Sequence, residues 1–144
     1  MAAKEVEKFN IKPRLALLTY SNFGSANGDD AIKMRKAVEL LKAKHPTMIV
    51  DGEMQAHLPF DRELLKENHP FCSLVEGGAN ILIFPNLSAS NIAYNLVKEI
   101  AQIEKIGPIL LGLKKPVHVL QLGSPAREIV NMIALSVVDA QMNK

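Results

Sequence analysis

Apolar residues return along this chain in two rhythms. Short runs at 15–18, 48–50, 81–84, 109–111 and 117–120, the last interrupted by His118, are each closed by turn residues, and such runs predict strands. Between them apolar positions recur every three or four residues, the period of a helix lying on a core. The clearest unit is 81–99, ILIFPNLSASNIAYNLVKE: four apolar residues run into Pro85-Asn86-Leu87, and a helical pattern opens at Ser88. The continuous run predicts a strand buried on both faces of a parallel sheet. Ser88 or Ser90 is placed to cap the helix that follows, whose Ile92, Leu96 and Ile100 recur at i, i+4 and i+8.

The same plan extends to both ends. Residues 2–9 predict about two helical turns carrying Val6 and Phe9, separated by Pro13 from the strand at 15–18. After the polar loop Ser21-Asn22-Phe23-Gly24-Ser25, Asp29 or Asp30 caps a helix with Ile32, Ala37, Leu40 and Leu41 on its apolar face, ended by His45-Pro46. Residues 48–50 predict a strand that gives way at once to a turn at Asp51-Gly52-Glu53. Asp61 caps a short helix over 61–66. Ser124 with Pro125 opens the last helix, reinforced by Glu128. That helix is apolar on two stripes, Ile129, Ile133, Val137 and Val130, Ala134, Val138, which predicts burial on more than one side, partly against a partner. Strands alternating with helices define an α/β class, a three-layer α/β/α arrangement with a mainly parallel sheet. Ligands of such sheets bind at the carboxyl edge of the strands.

Composition narrows this picture. A chain of 144 residues is one domain's worth. The formal charge of +2 comes from 17 basic and 15 acidic residues spread along it, with no basic block of the density that nucleic acid or a membrane surface requires. Aromatic residues are sparse and Trp is absent, which argues against a base-stacking surface. No apolar stretch is long enough to span a bilayer, and the polar start MAAKEVEKFN is unlike a signal peptide. One cysteine, Cys72, excludes an internal disulfide and fits a reducing compartment, so the expected location is cytoplasmic.

Candidate chemistry is thin on these grounds alone. Asp51 and Glu53 are an acid/base or cation candidate, yet a turn at this point spoils a shared face, and bonding to neighbouring backbone amides is the commoner use of such carboxylates. His45, His57, His69 and His118 fall into no metal-ligand spacing, so no metal site is expected. Gly24, Gly28 and Gly123 form neither a dinucleotide fingerprint nor a phosphate-binding P-loop. Ser21 and Ser25 could donate to an anion or simply cap their loop. Lys114-Lys115 reads most simply as a solvated turn.

Five blocks say more. Residues 20–25 (YSNFGS), 51–55 (DGEMQ), 79–94 (ANILIFPNLSASNIAY), 106–116 (IGPILLGLKKP) and 127–141 (REIVNMIALSVVDAQ) resemble the phosphotransacetylase family, and above all the phosphotransacetylase-like C-terminal domain of bacterial NADP-dependent malic enzymes. The resemblance covers about residues 10–141. It implies a fold of two subdomains, usually assembled as dimers, with residues 1–144 forming its C-terminal part: most of the second subdomain plus a closing helix, excised from a longer chain. The family transfers an acetyl group between phosphate and coenzyme A. Carried over by position, Asn91 and Tyr94 match the family's NIxY pattern at the acyl-phosphate pocket, and Ser21, Gly24 and Ser25 match its first loop. Where the transferases read DLSRG, this chain has Val119-Leu120-Gln121-Leu122-Gly123: Gln121 replaces the serine and Leu122 the arginine. Glu128 stands where the catalytic aspartate is expected.

The resemblance therefore implies one of three functions. The first is a non-catalytic regulatory and oligomerisation domain of an NADP-dependent malic enzyme, with acetyl-CoA, CoA or acyl phosphate as ligand. NADP and a divalent metal would belong to the malic enzyme's other domain, which would be the partner in cis. The second is an active phosphate acetyltransferase with Glu128 as base and Gln121 as polar contact. The third is a purely structural dimerisation segment.

Overall fold

The central element is β1, Arg14–Leu18, flanked on one side by β2, Ile49–Met54, and on the other by β3, Ile81–Ile83, both parallel to it. The computed structural model describes residues 1–103 and 106–142. In chain order the elements are α1 (Ala2–Glu7), β1, α2 (Asp29–Lys44), β2 (Ile49–Met54), a 3-10 turn (Leu58–Phe60), α3 (Arg62–Asn68), β3 (Ile81–Ile83), α4 (Leu87–Ala101) and α5 (Ala126–Met142). The chain divides into two compact units, Ala2–Ala93 and Tyr94–Lys144 with Met1.

In the first unit the sheet is covered on both faces, as the alternation of side chains along β1 requires. Leu15 and Leu17 join Ala3, Met34, Val38, Val50 and Ile81 in one core cluster, on the side of α1 and α2. Ala16 and Leu18 point the other way, into Met54, Leu58, Leu65, Cys72 and Leu74. The mainly parallel α/β class expected from the sequence is what forms.

Several elements differ in detail. The strand expected to be buried on both faces, 81–84, is the short edge strand β3, where only Ile81 is fully buried. The doubly covered strand is β1. Strand β2 does not stop at Val50 but continues through Asp51-Gly52-Glu53 to Met54. Helix α2 follows Gly28, so Asp29 and Asp30 occupy its first turn instead of its cap. Its buried stripe is Ala31, Met34 and Val38, while Ile32 and Leu40 lie exposed. Asn86, and neither Ser88 nor Ser90, caps α4: its Oδ1 accepts the Ala89 amide at 2.9 Å. Asp61 caps α3 as expected, accepting the Leu64 amide at 2.9 Å.

Residues 109–111 and 117–120 form no strand, and Leu110, Val117, Val119 and Leu120 are exposed. An apolar run becomes a strand only when another strand takes its amides and carbonyls. None of the described residues does so here. Helix α4 buries none of its residues, and its stripe of Ile92, Leu96 and Ile100 is open. Helix α5 buries Met132, Leu135 and Asp139, whereas Ile129, Val130, Ile133 and Val137 remain exposed.

Cys72 sits in the second core cluster. Burial pushes its thiol up to about 11, and the nearby Asp51 carboxylate adds to the effect. Since the thiolate is the reactive form, a disulfide reagent at pH 8 is expected to modify the folded protein more than about a hundredfold more slowly than the unfolded chain. Equal rates in the two states would contradict the buried placement.

Candidate functional site

The loop that follows β1 is built around one buried carboxylate. Glu53 has no exposed side-chain surface, and its Oε1 accepts three hydrogen bonds: Ser21 Oγ at 2.8 Å, the Gly24 amide at 2.8 Å and Arg35 Nη2 at 2.9 Å. Its Oε2 accepts Arg35 Nε at 3.0 Å, so the guanidinium engages both oxygens. Burial alone would raise this carboxyl. The bonds from Arg35, Ser21 and Gly24 outweigh that cost and bring it down to about 2. Arg35 also donates to the Ala26 carbonyl at 2.9 Å, so one side chain from α2 ties the start and the end of the loop to β2.

The strand irregularity makes this possible. Leu17 pairs with Gly52 but Leu18 pairs with Met54, so Glu53 is an extra residue in β2, a bulge that re-aims its side chain. Asp51 goes elsewhere: its carboxylate takes Lys42 Nζ at 2.8 Å and the Ser73 amide at 2.7 Å. The two carboxylates therefore share no site. The sequence reading placed them apart because of a turn; a bulge in a continuing strand is the cause. Part of the expected bonding to neighbouring amides is present, in Asp51 to the Gly52 amide at 3.1 Å.

Around this anchor the loop closes on itself. Ser25 Oγ accepts the Asn22 amide at 2.9 Å and lies 3.3 Å from Ser21 Oγ. Asn22 Oδ1 accepts the Gln55 amide at 2.7 Å, and the Gln55 side chain donates to the Tyr20 carbonyl at 2.9 Å. The Tyr20 hydroxyl packs over Gly28, where an added Cβ would fall 1.9 Å from that oxygen. Phe23, His69 and Phe71 form a ring cluster beside the loop, with Phe23 4.7 Å from His69 and 5.0 Å from Phe71.

Of the expected ligand residues, Ser21 is buried with its hydroxyl spent on Glu53, while Gly24 and Ser25 are exposed at the loop surface. Asn91 and Tyr94 are exposed on α4, three residues apart and so on one side of that helix. In the second unit Gln121, Leu122 and Gly123 form an exposed turn, the Gln121 carbonyl accepting the Ser124 amide at 3.1 Å. Glu128 lies in the first turn of α5, its amide bonded to the Pro125 carbonyl at 2.9 Å. Among the described residues no group of three or more His, Cys, Asp or Glu is gathered as a metal would need. No helix among them is long and apolar enough to cross a membrane. Sequence reading missed Arg35 and the Phe23–His69–Phe71 cluster, whose members come together only through the fold.

The first unit is thus a parallel α/β unit with a closed polar loop at the carboxyl end of its central strand, the edge at which such sheets in general hold their ligands. The comparison with known proteins makes the class specific. The model of the phosphate acetyl/butaryl transferase family matches residues 1–137, and the chain belongs to that family. It is 44% identical over 142 residues to the NADP-dependent malic enzyme of Escherichia coli, covering 98% of this chain and 19% of that protein. It is 41% identical over 132 residues to the phosphate acetyltransferase of Clostridium acetobutylicum, covering 92% of this chain and 39% of that protein. The solved structure of a phosphotransacetylase from Streptococcus pyogenes superposes with a TM-score of 0.88 at 34% identity, over 97% of this chain and 42% of that one. The chain thus spans about a fifth of the malic enzymes and between about a fifth and two fifths of the phosphate acetyltransferases it matches.

Proposed function

We propose that this chain is the C-terminal part of a phosphotransacetylase-like domain within a cytoplasmic NADP-dependent malic enzyme, where it senses acetyl-CoA and holds the oligomer together without transferring acyl groups efficiently. The observation that carries the reading is the exposed turn Gln121-Leu122, where the family resemblance leads one to expect Ser-Arg. Leucine has neither charge nor hydrogen-bond donor to offer a phosphoryl oxygen. Losing one charge-assisted hydrogen bond costs about 1.5–3 kcal/mol, or one to two decades in rate when it acts on the transition state. On this reading Gly24 and Ser25 at the loop surface and Asn91 on α4 are the first unit's own candidate contacts for the acyl-CoA or acyl phosphate, and Tyr94, Gln121 and Gly123 are those of the second unit. Ser21 holds the loop in shape through Glu53.

The assembly role is supported by the open apolar stripes of α4 and α5, which water-exposed helices do not ordinarily carry in such number. Acetyl-CoA that binds one quaternary state better than another shifts the equilibrium between them. NADP and a divalent cation act in the malic enzyme's other domain.

The similarity to phosphate acetyltransferases favours a second reading, in which Glu128 deprotonates the thiol of coenzyme A and Gln121 supplies the polar contact. Assays on the polypeptide carrying this chain separate the two. The expected result is inhibition of malate oxidation by acetyl-CoA with negligible formation of acetyl-CoA from acetyl phosphate and CoA. Turnover at the rate of an ordinary phosphotransacetylase would establish the second reading. Absence of both, with no acetyl-CoA binding by calorimetry, would leave assembly as the sole role.

A further inference from the structure

The lysine pair that reads as a solvated turn lines a cavity. Lys114, Lys115 and Pro116 face Ser136 and Ala140 across a space of about 410 Å³ in the second unit. Small-molecule sites have volumes of roughly 300–1,000 Å³. Ser136 and Ala140 are one helical turn apart, so α5 presents both to the same side. Ser136 Oγ donates its proton to the Met132 carbonyl at 2.8 Å, which leaves the hydroxyl oxygen as an acceptor. The walls therefore offer two ammonium groups, one acceptor and an apolar patch made by Pro116 and Ala140.

A buried polar pair adjoins these walls in the chain. His118, two residues after Pro116, places Nε2 3.0 Å from Oδ2 of Asp139, the residue before Ala140. Both side chains are almost fully enclosed, and the other ring nitrogen, Nδ1, is buried without a hydrogen-bond partner among the described residues. His118 is not itself a lining residue, so this enclosed pair adjoins the walls without touching the space, and its imidazole serves as a reporter of what happens there.

The geometry points to a second small-molecule site here, for a dianion that also carries a hydroxyl group: Lys114 and Lys115 take the charge, and Ser136 Oγ accepts the hydroxyl proton. The site is separate from Gln121 and Glu128. Glu128 is in the first turn of α5 and Ser136 to Ala140 are near its end, about 12–18 Å further along the axis. It uses none of Ser25, Asn91, Tyr94 or Gln121, so it stands independently of the acyl-CoA reading.

Calorimetric titration of the 144-residue chain at low ionic strength, with glycerol 3-phosphate in one arm and tartrate in the other, tests the site. Saturable binding of at least one probe is expected, and the tighter one identifies a phosphoryl or a carboxylate ligand. Binding is expected to shift the imidazole NMR signals of His118 and to weaken about tenfold or more in Lys114→Gln/Lys115→Gln, a change confined to exposed side chains. Ser136→Ala is expected to weaken glycerol 3-phosphate several-fold and to leave methyl phosphate, which has no hydroxyl, unaffected. The proposal is overturned by no saturable binding of either probe at millimolar concentration, by undiminished binding in the double glutamine variant, or by binding that leaves the His118 signals unmoved.

Discussion

Glu53→Ala is expected to destabilise the fold by about 3–5 kcal/mol, the range seen when one partner of a buried ion pair is removed. The substitution leaves Ser21 Oγ and the Gly24 amide without their acceptor and frees the Arg35 guanidinium from its bidentate partner. Against a typical total of about 5–15 kcal/mol this is a large share, about 10 °C or more in the unfolding midpoint. Glu53→Gln recovers only part, because its amide nitrogen would confront a donor of Arg35 at one end or the other.

The acid dependence of stability should change with it. Folded, the Glu53 carboxyl is brought down to about 2; unfolded, it titrates near 4.5. A carboxyl lowered in this way contributes fully above its unfolded value and loses that contribution as the pH falls toward its folded one. Stability supplied by Glu53 is therefore expected to drain away between about pH 5 and pH 2. Midpoints of thermal unfolding across this range should fall more steeply for the parent chain than for Glu53→Ala. Parallel slopes would assign the acid sensitivity to other carboxylates.

Gly52→Ala is expected to be of similar severity for a different reason. Gly52 has φ +139°, a region that L side chains rarely adopt, and an added Cβ would lie 2.5 Å from the Leu17 carbonyl oxygen. That oxygen belongs to the central strand and cannot move aside without disturbing the ladder. Backbone strain of about 1–3 kcal/mol adds to an overpacking cost of similar size. The variant should unfold at least about 10 °C below the parent or fail to accumulate as folded protein. A variant with an unchanged midpoint would mean that β2 has room to shift against β1.

These two positions mark where local sequence signals stop. Leu15–Leu18 was legible as a buried strand because its neighbours in the chain are turn residues and its own residues are all apolar. Asp61 was legible as a cap because the cap and the amide it serves are three residues apart. Asp51-Gly52-Glu53 reads as a turn, since glycine between two acids is a turn signal. The strand continues there because Gly52 can adopt the positive φ, and Glu53 finds partners 18, 29 and 32 residues distant. No pattern within a window of ten residues encodes that.

Helix α2 shows a subtler failure. Ile32 and Leu40 are its more hydrophobic residues, yet Ala31, Met34 and Val38 are the stripe that meets the sheet. Ala37 and Leu41 of the expected face pack partly against the same cluster, so the buried face is the expected one turned partway around the helix axis. At the candidate site the resemblance points to the loop residues Ser21, Gly24 and Ser25, and the Ser21 and Ser25 hydroxyls lie 3.3 Å apart. What holds Ser21 and Gly24 in place, a carboxylate and a guanidinium from two other elements, could be seen only in three dimensions.

The position of β1 between its two partners also bears on the order of assembly. Leu15 pairs with Val50 about 35 residues on, and with Ile81 a further 31 beyond that. Doubling the length of a closed loop costs only about 0.6 kcal/mol in chain entropy, so distance alone hardly delays the second pairing. The difference lies in what each closure gains. Joining β2 to β1 brings α2 onto the sheet and lays down most of the first core cluster, whereas β3 adds three residues to an edge. On that accounting β1, α2 and β2 are expected to form early and β3 to join as a late edge, an order that would give substitutions at Val38 or Val50 a larger effect on the folding rate than substitutions at Ile83.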